Sequence, residues 1–201
     1  MINKIIISTP KQILQNAIEN ACGLNEYATT INDLHQVDVS KDLNYRKNFV
    51  SYYRVRRDQR WLDEYFSFFE SIKESKNISF GNIIRHISNV PHSVKGGTAC
   101  TVEVSFASKM LTTISPDYPI WDSQVVRALG INSIFSASCT NKEKIEYYIT
   151  AYAELKSKVD SFLTTEDAQK CMAEFDIIFP NYQWVSKAKK IDFYLWNIGK
   201  V

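Results

Sequence analysis

Apolar side chains return every three to four residues through most of this 201-residue chain, and few residues interrupt them. Only 6 Gly and 5 Pro are present. Sheet sandwiches and barrels need many tight turns, which draw on those two residue types. Their scarcity, together with a 3.6-residue period, predicts long helices instead. The fold class expected is all-α, a multi-helix bundle over residues 1–201 built as one domain or as two small lobes sharing a core. A chain of this length buries roughly 70% of its unfolded surface, so it folds without a metal or a disulfide. Its 45% apolar and 23% charged residues exclude a mainly disordered chain.

The clearest helical face is Trp61, Leu62, Tyr65, Phe66, Phe69 and Ile72, with Asp58 placed as its cap. Further helices are predicted over 10–22, 82–88 and 104–114, and from near Asp122 to Gly130. Three more run from Thr140-Asn141 through Phe162, from Thr165 through Phe175, and over 184–198. Thr140 and Glu143 have the spacing of a capping box. Residues 24–48 are polar and aperiodic and predict a long connection with short helices at most. Residues 89–98, Asn-Val-Pro-His-Ser-Val-Lys-Gly-Gly-Thr, predict a turn region.

Several function classes fall away. The 24 Lys+Arg against 22 Asp+Glu give a net charge of +2, which excludes a strongly basic nucleic-acid coat protein but leaves room for a local basic face. The run Ile5, Ile6, Ile7 is too short for a signal-peptide core, and no small-residue cleavage site follows it. No segment approaches the ~20 apolar residues of a membrane span. Cys22, Cys100, Cys139 and Cys171 form no CxxC pair, and His35, His86 and His92 do not complete a zinc set. Reduced thiols in a cytoplasmic protein, with no metal and no cofactor, are expected. There is no phosphate-binding loop, dinucleotide fingerprint or nucleophile elbow.

The segment 105–130 concentrates the candidate chemistry. A helix ends in Ser115-Pro-Asp-Tyr-Pro119, and the chain delivers Asp122 to the start of the next helix, followed by Val125, Val126 and Arg127. An Asp there caps the helix by accepting from free backbone N–H groups, and that alone accounts for Asp122-Ser123. The order Pro119-Ile-Trp-Asp122, then Val125-Val126-Arg127, also resembles the helix-hairpin-helix (HhH-GPD) DNA glycosylases, over residues 103–130. In that family a hairpin and a helix precede a Pro-hydrophobic-Asp turn whose Asp opens the next helix.

The resemblance implies a two-lobed all-α fold with a cleft near residues 89–122. It implies double-stranded DNA as partner and an N-glycosylase activity of the base-excision-repair type, with Asp122 as the catalytic carboxylate. A carboxylate beside the oxocarbenium-like sugar stabilises it or activates water. The base must first leave the stack for an aromatic pocket. Trp121 and Trp61 are the candidates for that pocket, with Tyr118 also to hand. The family's hairpin grips a phosphate through backbone N–H groups. The nearest counterparts are Lys95, Gly96 and Gly97, a few residues before the family's place, which here holds residues 100–103 without glycine. Arg127 is a further candidate DNA contact. Bifunctional members carry a Schiff-base lysine just after the hairpin, where residues 103–105 hold none. Lys109 lies downstream and is read either as a pocket-facing catalytic amine or as a surface lysine that contacts phosphate.

Residues 46–60 hold five Arg and one Lys interleaved with Phe49, Tyr52 and Tyr53. Arg54, Arg56 and Arg57 there are candidates for a DNA backbone. Arg stems that cover core surface explain the same pattern equally well. Lys187, Lys189 and Lys190, with Asp192 among apolar neighbours, read as core packing with a solvated edge, Asp192 pairing with a lysine or capping another element. His86 reads as structural, and His92, beside Pro91 and the glycine pair, is the histidine to follow. The competing function is a non-catalytic helical protein that binds DNA or a protein partner through the same architecture. An unrelated helical adaptor with no nucleic-acid role is the third reading.

Overall fold

A computed structural model describes residues 11, 13, 14, 23–131, 135 and 138–198. The helix predicted over 10–22 lies outside the described residues apart from three positions. Among the described residues the chain is mostly helical, with nine α-helices and one two-stranded sheet. In chain order the elements are α1 (Leu24–Asp33), α2 (Leu43–Tyr53), α3 (Gln59–Ile72), α4 (Phe80–Ile87), β1 (His92–Val94) and β2 (Gly97–Ala99). Then follow α5 (Val104–Ile114), α6 (Ser123–Ala128), α7 (Asn141–Leu163), α8 (Glu166–Ile178), a 3-10 turn (Pro180–Tyr182) and α9 (Lys187–Ile198). No described helix is long and apolar enough to cross a membrane.

The predicted helices form because their ends and faces agree. Asp58 accepts from Trp61 N at 3.0 Å and opens α3. Ser79 does the same for α4 through Asn82 N, and Thr165 for α8 through Ala168 N. The capping box of α7 is complete: Glu143 N donates to Thr140 Oγ1 at 3.3 Å, and Thr140 N donates to Glu143 Oε2 at 2.7 Å.

Two expectations are corrected. Residues 24–48 are not one long connection; they hold α1 and most of α2. Their buried faces are sparse and aromatic, with Leu24 and Tyr27 in α1 and Tyr45, Phe49 and Tyr53 in α2. Thr30 extends the α1 face because its hydroxyl is satisfied by Glu26 O at 2.8 Å, so a polar residue sits buried. Residues 89–98 contain a β-hairpin, not only a turn. His92 pairs with Ala99, Ser93 with Thr98 and Val94 with Gly97. The left-handed φ of +91° at Gly96 and the φ of +155° at Gly97 let Lys95-Gly96 close it in two residues.

The described residues fall into two compact units. The first takes in Gly23–Ser115 and the described residues of Ala137–Ile149. Its core is aromatic: Phe49 meets the rings of Tyr45, Tyr53, Tyr65, Phe66 and Phe69 at centroid distances of 4.7–6.2 Å. The α4 helix packs on α5, and α1 on α2. Lys73 Nζ, itself buried, donates to Leu34 O and Val37 O and so ties the end of α1 to α3. The second unit takes in described residues of Pro116–Ser136 and Thr150–Val201. There α9 is the central element, packing on both α6 and α8.

Candidate functional site

Asp122 belongs to the second unit, and the segment leading to it is fixed at three points. Ser186 Oγ donates to Pro116 O at 2.6 Å. The Tyr152 hydroxyl donates to Pro119 O at 2.7 Å in a buried bond. Asp122 Oδ1 then accepts from Gln124 N at 2.9 Å and caps α6. Pro119 supplies the bend, and Ile120 and Trp121 are buried beside it. Asp122 itself is half-buried, and its Oδ2 has no hydrogen-bond donor among the described residues. One oxygen therefore holds the helix while the other makes no hydrogen bond to a described residue. Arg127 is exposed one turn on, with its guanidinium 3.3 Å from Gln124 Oε1.

The helix α9, which packs on α6, carries a buried ion pair. Lys189 is 4% exposed and Asp192 12%, and Lys189 Nζ lies 2.7 Å from Asp192 Oδ2. Burial pushes the Asp192 carboxyl up; Lys189 opposes that, and the charge of Asp122 adds to it. The next lysine on the helix is separate: Lys190 Nζ meets Asp176 Oδ1 at 2.6 Å and Gln183 O at 2.8 Å. The expected solvated lysine edge is thereby corrected. Lys189 and Lys190 are core residues, each with its own carboxylate, and only Lys187 of the three is exposed.

Apart from Arg127, the candidate DNA contacts belong to the first unit, on the segment 54–57 and at the hairpin. Asp58 joins the arginine segment to the hairpin, because its Oδ1 accepts from Trp61 N while its Oδ2 accepts from Ser93 N in β1. Those two amides hold its carboxyl down at about 2. The arginine-bearing segment is thus fastened alongside the glycine hairpin. Arg54, Arg56, Arg60 and Lys95 are exposed and form no ion pair with any described residue. Arg54 stands in the left-handed region at φ +51° as the C-cap of α2. A Cβ added at Gly96 or Gly97 would meet nothing within 4 Å, so the tip of the hairpin is open.

Arg57 differs from its neighbours. Its Nε and Nη2 donate to the buried Glu103 carboxylate at 2.7–3.1 Å, and Thr101 Oγ1 donates to the same group at 2.6 Å. Its guanidinium carbon lies 5.0 Å from the Phe106 ring centroid. Arg57 is therefore a structural member of this unit rather than an open phosphate contact. Glu103 stands where the resemblance looked for a lysine. Lys109 is buried, not a surface lysine, with its ammonium 5.0 Å from the Phe106 ring. Trp61 is fully buried against Tyr65 and Phe106, and Trp121 is buried in the other unit. Neither indole exposes a ring face to a base in this arrangement.

The chain matches no protein-family model, no curated protein and no solved structure.

Other titratable groups have local tasks. His86 stacks on Phe68, with ring centroids 3.7 Å apart. His35 pairs with Glu74 at 2.7 Å. His92 is buried in β1, and its Nδ1 has no hydrogen-bond partner among the described residues. Cys171 is buried, which pushes its thiol up to about 11 and makes it unreactive. No described cluster of His, Cys, Asp and Glu is arranged to hold a metal ion. Sequence reasoning missed Asp58 as a clasp and Glu103 as the partner of Arg57, while the pairing of Asp192 with a lysine was one of its two readings of that residue and is found with Lys189. Only that pair had a local signal, the i, i+3 spacing of opposite charges.

Proposed function

We propose that the chain binds double-stranded DNA through the arginine segment and the glycine hairpin. We further propose that it releases a base with Asp122, after the manner of the helix-hairpin-helix glycosylases it resembles. The observation that carries the reading is the Asp58 clasp, which fastens a segment with three unpaired arginines to the Lys95-Gly96-Gly97 turn. Exposed cations without carboxylate partners keep their charge for phosphate. An open two-glycine turn lets backbone N–H groups approach a phosphate closely.

The Asp122 geometry supports the chemical half. A capping oxygen fixes the carboxylate, and the second oxygen is left to stabilise a sugar cation or to orient water. Flexible groups would lose part of that effect, because the charge would have to be reoriented as the bond breaks.

Titration of a labelled duplex at several salt concentrations tests the binding half. The expected result is an affinity that falls steeply with salt. Replacement of Arg54, Arg56 and Arg60 by Gln should reduce the slope by about one for each phosphate that is no longer neutralised. Affinity that ignores both salt and the triple replacement would contradict the reading.

A further inference from the structure

Residues 54–60 and 89–102 together hold four arginines and one lysine but a single acid, Asp58. A carboxylate among phosphate contacts opposes them by repulsion. Its placement gives it another task. Asp58 Oδ1 accepts from Trp61 N at 3.0 Å and caps α3, while Oδ2 accepts from Ser93 N in β1. Ser93 stands two residues before Lys95 and pairs with Thr98 across the hairpin. Buried Val55, and Arg57 held by Glu103, anchor the arginine segment. The chain after the hairpin is anchored where Cys100 O accepts from Asn141 Nδ2 and Glu103 N donates to Ser88 Oγ. Asp58 joins the two.

We propose that Asp58 is a positioning residue for duplex binding, an anion that raises affinity for a polyanion by holding the Lys95-Gly96-Gly97 turn beside Arg54, Arg56 and Arg60. This rests on the reading of those residues as DNA contacts given above. With the clasp closed, the turn and the arginines meet the phosphate backbone together, and little ordering remains to be done on binding. With it open, a hairpin of two three-residue strands is left to itself. Such a hairpin is marginal alone, so its lysine and its amides drop out of the contact set. Repulsion from Asp58 is the lesser effect, because each of its oxygens already faces an amide N–H.

Asp58→Asn separates the two effects. The Asn carbonyl oxygen still caps α3, since Asn and Asp are equally good caps. Its NH2 group takes the place of Oδ2 and meets the Ser93 N–H donor to donor, which opens the clasp. Repulsion alone predicts tighter binding by this variant, and positioning predicts weaker. Anisotropy titration of a labelled duplex by the full chain, at several salt concentrations, reads the sign. The expected affinity is about tenfold below wild type, with a log–log salt slope shallower by about one, the share of Lys95. Lys95→Gln should remove that same unit of slope from the wild-type chain and none from Asp58→Asn. A cap without a positioning role would not produce that dependence.

Ser93→Pro breaks the clasp from the hairpin side and keeps the carboxylate, so it should lose affinity by a similar factor. Equal or tighter binding by folded Asp58→Asn would overturn the proposal and leave the DNA reading in place. Should that variant fail to fold, wild-type affinity in Ser93→Pro would overturn it. An unchanged slope in Lys95→Gln would do so as well, since the turn would then not reach the backbone. A wild-type chain that binds no duplex removes the DNA reading and this inference with it.

Discussion

Arg54 and Arg57 stand three residues apart and meet opposite surroundings. Arg54 is exposed and unpaired, while Arg57 closes a bidentate pair with the buried Glu103. A run of arginines in a sequence does not distinguish these, because the carboxylate that claims one of them lies 46 residues away. Glu103→Ala should leave Arg57 partly buried without a partner and cost about 3 kcal/mol, measured by urea unfolding. Glu146→Ala breaks only the exposed pair with Arg85 and should change stability by less than about 1 kcal/mol in the same assay. Equal losses would contradict the distinction. Lys109, Trp61 and Trp121 show the same limit from the other side. Residue type marked them as candidates, but which way a helix or strap turns its side chain follows from packing, and all three are turned inward.

Helices with a dense aliphatic or aromatic face were legible. The α3, α4 and α5 helices follow their apolar period, and Asp58, Thr140 and Thr165 mark starts by their chemistry. The α1 and α2 helices were hidden, because their faces alternate aromatic and polar residues and a buried threonine bonds its own backbone. The Phe49 ring shows how much of this unit depends on α2. It touches five other rings, so Phe49→Ala should cost about 3–5 kcal/mol in denaturant unfolding; a loss under about 1 kcal/mol would mean the cluster repacks.

The hairpin escaped notice because three-residue strands carry too few residues for a period. Its attachment to α3 makes a pH prediction. The Asp58 carboxyl is held at about 2 against an ordinary 3.8, so its stabilising bonds are complete above pH 3.8 and vanish as pH falls towards 2. Amide exchange at Ser93 and Trp61, corrected for its intrinsic pH dependence, should therefore quicken across that window. Asp58→Asn should abolish the acid step, and an identical step in the variant would assign it elsewhere.

At the scale of the whole molecule the candidate groups divide by unit. Arg54, Arg56, Arg60, Lys95 and the open glycine turn are in one, and Asp122 and the Lys189–Asp192 pair are in the other. A net charge of +2 hides this division, since compensated and uncompensated cations count alike. Mostly helical architecture was legible from glycine scarcity and period alone. Which charged residues remain available was not, because ion pairing is decided by packing between distant segments.

The central claim is that Asp122 breaks an N-glycosidic bond. Base release from a panel of lesion-bearing duplexes, by the wild-type chain and by Asp122→Asn, measures it directly. The account predicts release from at least one lesion by the wild-type protein. It predicts a loss on the order of a hundredfold in the variant, which keeps its duplex affinity. Tight binding without release from any lesion would assign Asp122 to helix capping alone, and equal release by both proteins would place the chemistry on another residue.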